Sequence, residues 1–291
     1  MRFFASTPAR VWRAFFLLAT LSASAVAGPN TLTPAPLRQI GAPDTAEARE
    51  ALDTLRHLGI AGSYFLEFDL RILPRRGEEQ RISGRMWGTQ GERGPLVRVE
   101  LGQGPTAVRL LIQRGPEPAV WRYGGGAAGV EKLGVAALFQ PLMPGTDLTV
   151  FDLEMPYIYW NDFTYQGLVR YNGRPTHVIT LRPPAEFAKK YPGLAGVRVK
   201  LDTQYSAPVQ TELLGSADAA TKTITIVDLR KVGEQWLVKT IDARDEVSRN
   251  KTRLIVLAAA LNLEFSPTLF EPAQLTEAIR PPAVPLTQIG L

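Results

Sequence analysis

Two carboxylates at alternate positions, Asp152 and Glu154, have the residue types of a general acid and a general base. Such a pair can hydrolyse a bond when both side chains converge on it. Residues at i and i+2 share a helix face poorly, and on a strand they point to the same side. We therefore expect an exposed polar edge, and an envelope hydrolase that uses this pair remains an alternative.

The sequence contains two histidines, His57 and His177, and no cysteine. Neither histidine has a second histidine or a carboxylate at ligand spacing, and no G-x-S-x-G motif offers a serine nucleophile. We interpret both histidines as structural and predict a non-enzymatic protein with no catalytic residue, no metal and no cofactor. The absence of cysteine excludes disulfides, thiolate chemistry and a lipidated N-terminal cysteine.

A glycine-rich stretch, GGGAAG at residues 124–129, fits the G-x-G-x-x-G pattern, and Asp147 follows. A dinucleotide-binding loop requires a buried parallel strand before it and βαβ units around it. The preceding segment PAVWRY is short and lies among predicted hairpins, so we interpret the glycines as a flexible turn. No P-loop motif is present, which makes ATP hydrolysis an unsupported function.

The two carboxylates lie within TVFDLEMPYIYW, residues 149–160. Alternate positions such as Phe151 and Leu153 are apolar, but apolar residues also fill the positions between them, so that neither the period of a strand nor that of a helix fits. This stretch is apolar on more than one side.

The chain begins with arginines, continues into AFFLLATLSASAVA and has Ala25-Val26-Ala27 before Gly28. This order is typical of a secretory signal peptide. Because the apolar run is shorter than the roughly 20 residues that span a bilayer, we prefer cleavage after Ala27 to a membrane anchor. Cleavage changes 33 basic and 28 acidic residues to 30 and 28, and so balanced a charge argues against nucleic acid as a partner.

Residues 28–43 carry four prolines and no periodicity, and we expect a flexible leader. A helix is predicted from Asp44, which with Glu47 resembles a capping pair, to a stop near Gly59. About a dozen short strands follow in two runs, separated by turns at hairpin spacing. Between the runs VEKLGVAALFQ, which begins at Val130, predicts a helix. The proline-rich end, residues 277–291, is expected to be loosely held.

Segments of the second half occur in an order similar to that of outer-membrane lipoprotein-sorting proteins of the LolA-like superfamily, over residues 140–276. The segments are LMPGTDLTVFDLEMPYIYWNDFTYQG, GRPTHVITLRP, VRVKLDTQYSAPVQTELLG, ITIVDLRKVGEQWLVKTIDARDEVSRNKTRLIV and LFEPAQL. Their shared features are G-T-D, an L-x-P strand, Y-x-x-P after an aspartate, G-x-x-W and N-K-T. None of these features is a catalytic signature.

The resemblance implies a mainly β (α+β) fold, with one curved antiparallel sheet of about eleven strands that forms a half-open barrel with covering helices. It implies a domain over residues 44–276 and a lid at about residues 126–160. It also implies a periplasmic carrier, a monomer, whose apolar cavity takes the acyl chains of a lipoprotein or related lipid from an inner-membrane donor to an outer-membrane acceptor.

The large apolar residues of the lid and two strand tryptophans are the candidate lining of that cavity. They are Trp87, Trp121, Phe139, Leu142, Met143, Phe151, Met155, Tyr157 and Trp160. Two alternatives stay open. These side chains could simply fill the barrel as core, and the same fold could serve as an envelope sensor that binds a protein partner.

Overall fold

The computed structural model describes residues 39–40, 44–125, 129–205 and 207–290. The predicted signal peptide, its cleavage site and nearly all of the predicted leader lie outside these ranges. The described residues from 39 onwards belong to one compact unit.

The predicted first helix is α1, Thr45–His57. The Asp44 carboxylate caps it by accepting a hydrogen bond of 2.8 Å from the Ala46 amide, which satisfies one of the free N–H groups of the first turn. Ala48 and Leu52 are buried at helical spacing. The helix ends two residues before Gly59, with Leu58 in extended conformation as its C-cap.

The described residues form fifteen strands. They are β1 Gln39–Ile40, β2 Ser63–Leu73, β3 Gln80–Gly91, β4 Gly94–Leu101, β5 Val108–Gln113, β6 Ala119–Tyr123, β7 Val130–Lys132, β8 Phe163–Tyr171, β9 Arg174–Leu181, β10 Gly196–Asp202, β11 Pro208–Leu214, β12 Ala220–Val232, β13 Gln235–Asp245, β14 Lys251–Leu263 and β15 Thr287–Gln288.

Fourteen of these strands lie side by side in one antiparallel, curved and unclosed sheet, in the order β1-β8-β9-β10-β11-β12-β13-β14-β2-β3-β4-β5-β6-β7. Strand β14 pairs with β2 and so joins the two predicted runs. The fifteenth strand, β15, pairs with β14 off this path. The predicted half-open barrel is confirmed, but the count of about eleven strands is wrong, because β1, β7 and β15 have only two or three residues and show no alternation.

The predicted helix over VEKLGVAALFQ is also wrong. Its first part is strand β7 at the sheet edge, and its second part is a 3-10 helix, Val135–Phe139. The segment that covers the concave face therefore runs over residues 133–160, and we call it the lid. Beyond its first 3-10 helix, the lid contains α2, Val150–Glu154, and a second 3-10 helix, Pro156–Tyr159.

A further short helix, α3, Ala185–Lys190, connects β9 to β10. The remaining 3-10 helices in the described chain are Gly104–Thr106, Ser216–Asp218, Pro267–Phe270 and Pro272–Thr276. None of the described helices is long and apolar enough to cross a membrane.

Alternation along the strands gives the sheet two apolar faces. In β2, Leu66 and Phe68 point to the concave face, where they join one large core with α1 and the lid. Phe65 points to the convex face, where it joins a smaller core with Trp87. The C-terminal 3-10 helices cover this second core through Phe270 and Leu275.

The C-terminal segment is held to the convex face by a buried arginine. Arg98 is fully buried and donates to the backbone carbonyls of Leu269, Gln274 and Glu277 while it pairs with Glu100 at 2.9 Å. The last residues of the chain also pack against the sheet, because β15 pairs with β14 and Ile289 is buried. The expectation that the end is loosely held is not met.

Candidate functional site

Stacked aromatic rings fill the space between the lid and the concave face. Phe139 of the lid stacks on Tyr191 with ring centroids 3.7 Å apart, and on Phe151 at 4.5 Å. Trp160 packs edge-on against Phe187 at 5.3 Å. Phe187 and Tyr191 come from the α3 region, which sequence reasoning did not single out.

Seven of the nine predicted lining residues belong to the lid and pack in this concave core. They are Phe139, Leu142, Met143, Phe151, Met155, Tyr157 and Trp160. The structure does not bring Trp87 and Trp121 to them, because both tryptophans lie with the convex core. In this closed arrangement the lid side chains themselves occupy the concave face.

Asp152 is buried, in contrast to the predicted exposed edge. Its carboxylate caps α2 by accepting hydrogen bonds of 2.8 Å from both the backbone amide and the hydroxyl of Thr149. The same oxygen pairs with Lys222 of β12 at 2.7 Å. Asp152 therefore fastens the lid helix to the sheet, and its position is structural.

Glu154 is also buried, with only 3% of its surface exposed. Its Oε2 atom has no hydrogen-bond partner among the described residues. Burial raises the pKa of Glu154 to about 7, although Arg114 acts in the opposite direction. A carboxyl in this position is neutral in mildly acidic solution. Its ionised form is disfavoured because burial removes its hydration.

Two arginines attach the lid through its main chain. Arg114, which follows β5, donates to the Leu153 carbonyl from Nε at 3.1 Å and from Nη2 at 2.5 Å. Arg56 of α1 donates from Nε to the Ile158 carbonyl at 2.8 Å. Sequence reasoning assigned no arginine to the lid. The acceptors of these bonds are backbone carbonyls, which every residue has, so no residue type in the sequence marks them.

The lid contains two backbone positions in the left-handed region. Gly145 has φ 83° and Met155 has φ 53°. Met155 lies between α2 and the following 3-10 helix, and a left-handed conformation at a non-glycine residue costs energy unless the surroundings enforce it. Gly145, which follows Pro144, and Met155, which precedes Pro156, are thus the hinge-like points of the lid.

A cavity of about 1290 Å³ opens beside the lid, at the end of the barrel where α1 ends and the β3–β4 and β5–β6 hairpins turn. We call this opening the mouth. Its lining residues are Asp53, Arg56, His57, Leu58, Gly59, Ile60, Ala61, Gly62, Tyr64, Thr89, Gln90, Glu92, Arg93, Gly94, Pro95, Leu96, Val97, Arg114, Gly115, Pro116, Glu117, Tyr159 and Asn161. None of the nine predicted lining residues is among them.

The wall of the mouth depends on a glycine in β3. The ring of Tyr64 lies flat over Gly88, its cross-strand partner, where any Cβ atom would overlap the ring. This arrangement lets Tyr64 line the cavity, and burial raises the pKa of its phenol. The phenol therefore stays neutral and adds a further polar atom to the lining of the mouth.

Each of the two histidines lies within hydrogen-bond distance of another described residue. His177 Nδ1 lies 2.9 Å from the Tyr165 hydroxyl, which itself lies 3.1 Å from Glu47 of α1. Burial lowers the pKa of His177. His57 Nδ1 lies 2.7 Å from the Asp53 carbonyl. In the described part of the chain, no group of three or more potential ligands is placed to hold a metal ion.

A family model described as an uncharacterized protein matches residues 110–277, which is more than half of the chain. No curated protein matches the chain by sequence.

Three solved structures are similar in fold. One, described as an outer-membrane lipoprotein-sorting protein domain from Vibrio parahaemolyticus, is 18% identical with a TM-score of 0.67, over 79% of this chain and 97% of that one. A DUF1329 family protein from Desulfovibrio piger is 14% identical with a TM-score of 0.68, over 80% and 100%. A LolA superfamily protein from Nitrosomonas europaea is 12% identical with a TM-score of 0.59, over 77% and 97%.

Proposed function

We propose that this chain is a periplasmic, non-enzymatic carrier of acyl chains. It belongs to the family of uncharacterized proteins whose model matches residues 110–277, and it has the LolA-like fold. Its cargo would be an acylated lipoprotein or a related lipid on its way from an inner-membrane donor to an outer-membrane acceptor. The signal-like N-terminus supports export, with the mature protein beginning after Ala27.

The observation that carries this proposal is an apolar layer of lid side chains over the concave face. Individual polar contacts from side chains such as Arg56, Arg114 and Lys222 hold this layer in place. When the lid moves outward, residues such as Phe151, Tyr157 and Trp160 would leave an apolar hollow on the curved sheet, continuous with the mouth.

A carrier of this kind answers a physical requirement. A sixteen-carbon chain exposed to water costs on the order of 12 kcal/mol, at about 0.8 kcal/mol for each CH₂ group. An acylated molecule therefore needs a shield to cross an aqueous compartment. The exposed interior of an empty carrier would be equally unfavourable, and a lid that fills the hollow with its own side chains solves that problem.

Met155 and Met143 suit a surface that must repack around different occupants. Methionine is unbranched and polarisable and adapts to irregular neighbours. Together with the hinge-like points at Gly145 and Met155, they support a lid that exchanges its own aromatic contacts for contacts with an alkyl chain.

The test is to measure the uptake of a fluorescent fatty acid by the purified full chain, with mass spectrometry of any lipid carried over from the native periplasm. We expect saturable binding at one site and a co-purifying lipid or lipopeptide. A preparation that carries no lipid and also takes up none would contradict the proposal.

The filled concave face favours a second candidate, a sensor domain of the same fold that binds a protein partner in the envelope. In that case the lid would remain closed and its outer surface would be the binding surface. A stable protein partner that co-purifies from the periplasm without lipid, together with absent fatty-acid uptake, would support the sensor and exclude the carrier.

A further inference from the structure

Two neighbouring turns at the mouth bring Arg93 and Arg114 together. Gly94 has φ 118° and Gly115 has φ 126°. A Cβ atom on Gly94 would lie 2.5 Å from the carbonyl oxygen of Arg114, and a Cβ atom on Gly115 would lie 2.5 Å from that of Arg93. The two turns are therefore in backbone contact, and only glycine fits at both positions.

Arg93 and Arg114 both line the cavity. No carboxylate of the described chain forms an ion pair with either guanidinium, although Glu92 and Glu117 line the same cavity. Arg93 is exposed and makes no side-chain hydrogen bond within the described residues, whereas Arg114 bonds only to the neutral carbonyl of Leu153.

Other charged groups lie around the mouth. Arg56 of α1 is already paired with Asp53 at 2.8 Å. His57 lies at the end of the same helix, and Glu154 of the lid lies near Arg114 without a hydrogen bond. Within the described residues the two guanidinium groups therefore form no direct ion pair and are available to an anionic ligand, although Glu92 and Glu117 line the same cavity.

We propose that Arg93 and Arg114 bind the phosphate group of an amphiphilic lipid at the mouth, with its acyl chain directed along the apolar wall of Ile60, Leu96 and Val97. This rests on the proposed function, because the same cavity receives the chain. Guanidinium groups form bidentate, charge-assisted hydrogen bonds with phosphate, which are about twice as strong as bonds between neutral groups.

The cavity volume agrees with such an occupant. At about 1290 Å³ it exceeds the range of about 300–1,000 Å³ of ordinary small-molecule sites. The lining is charged at the hairpin turns and apolar along β4. A phospholipid changes from polar to apolar in the same way between its headgroup and its tail.

The experiment compares two fluorescent lipids with identical chains, pyrene-labelled phosphatidylglycerol and pyrene-labelled diacylglycerol, with inorganic phosphate as a third probe. The variants are Arg93→Gln, which leaves the lid attachment of Arg114 intact, and the double variant Arg93→Gln/Arg114→Gln. The matched control is Arg170→Gln, an exposed arginine of β8 outside the cavity.

We expect Arg93→Gln to weaken phosphatidylglycerol binding by about tenfold, the equivalent of about 1.4 kcal/mol, and the double variant to weaken it further. Diacylglycerol binding by Arg93→Gln and both affinities of Arg170→Gln should stay within about twofold of the original. Equal loss of both lipids, or no loss of either, would overturn the phosphate site but not the carrier.

Two other outcomes are informative. Arginine-dependent binding of inorganic phosphate alone, with no preference between the two lipids, would assign the site to a free anion and overturn the lipid headgroup as its occupant. Failure of the original chain to bind either lipid would overturn the carrier and this site together.

Discussion

At the scale of single residues, the largest difference between the lid expected from the sequence and the lid in the structure concerns its two carboxylates. The spacing of Asp152 and Glu154 predicts an exposed polar edge, because residues at i and i+2 share a helix face poorly and on a strand point to the same side. In the structure both are buried, and the charged groups that act on them, Lys222 on Asp152 and Arg114 on Glu154, lie far away in the sequence. Long-range partners of this kind cannot be deduced from local spacing.

The tryptophans of β3 and β6 were assigned to the wrong face for a related reason. On β3 the concave positions include Gly84 and Gly88, where Phe68 and Tyr64 lie across the strand. With glycine on the inner side, the most prominent apolar residue of the strand is Trp87, which points outward. The two glycines, which leave space for the rings of Phe68 and Tyr64, therefore interrupt the hydrophobic alternation of β3 in the sequence.

Glu154 makes the stability of the protein depend on pH. Its pKa is about 7 in the folded chain and near 4.5 in the unfolded chain, so the unfolded chain releases the proton first as pH rises. Stability is therefore unaffected below about pH 4.5, falls between about pH 4.5 and 7, and stays lower above that range.

Glu154→Gln should remove this loss, because glutamine cannot ionise. At pH 8 the variant should be more stable than the original chain by up to about 3 kcal/mol, at about 1.4 kcal/mol for each unit of pKa shift, and the difference should vanish near pH 4. Urea unfolding followed by tryptophan fluorescence at both pH values measures it. Glu117→Gln at the exposed rim is the control, and an equal effect there would refute the assignment.

At the scale of elements, capping and turn residues made α1 and the longer strands predictable. Asp44 caps the helix, and Gly and Pro residues separate strands at hairpin spacing. The lid was not predictable in detail, because its helices have five residues or fewer and are held by packing and not by propensity. Strands of two or three residues, such as β7 and β15, likewise depend on the partner strand.

Arg56→Gln should loosen the second part of the lid without unfolding the sheet. The variant loses the bond from Arg56 to the Ile158 carbonyl, which is worth about 1 kcal/mol. We expect hydrogen exchange of the amides at 157–160 to accelerate by about fivefold, which corresponds to about 1 kcal/mol, while the amides of β9 and β10 do not change. Arg49→Gln, on the exposed side of the same helix, should have no effect, and a similar acceleration there would argue against a specific attachment.

The C-terminal segment should depend on Arg98 more than on its apolar contacts. Arg98→Met leaves three carbonyls and the Glu100 carboxylate without their partner, and breaking such a buried pair costs about 3–5 kcal/mol. We expect limited proteolysis to cut within residues 264–280 and the free energy of unfolding to fall by that amount. Arg71→Met, in a solvent-exposed pair with Glu79, should leave the cleavage pattern unchanged and have a much smaller effect on stability. Equal effects would contradict a specific role for Arg98.

At the scale of the whole molecule, the fold was predictable because its motifs occur in a fixed order over residues 140–276, and the half-open sheet confirms that prediction. The mouth was not predictable. It is built where the end of α1 meets the start of β2 and the β3–β4 and β5–β6 turns, and its residues are separated by up to about a hundred positions. No local pattern marks such a cavity.

The central claim is that the lid leaves the concave face to admit an acyl chain. The absence of native cysteine allows a direct test with one engineered disulfide. Asp147 of the lid and Thr252 of β14 are neighbours, since the Asp147 amide donates to the Thr252 hydroxyl at 2.7 Å and that hydroxyl donates to the Asp147 carboxylate at 3.1 Å. Cysteines at these two positions would fasten the lid when oxidised.

The decisive measurement is the uptake of a fluorescent fatty acid by Asp147→Cys/Thr252→Cys before and after reduction. The control pair is Asp69→Cys/Ser83→Cys, which joins cross-strand partners on the convex face. We predict that the oxidised lid pair binds at least tenfold more weakly than the reduced form, while the control pair binds equally in both states. Undiminished uptake with the lid disulfide formed would contradict the account.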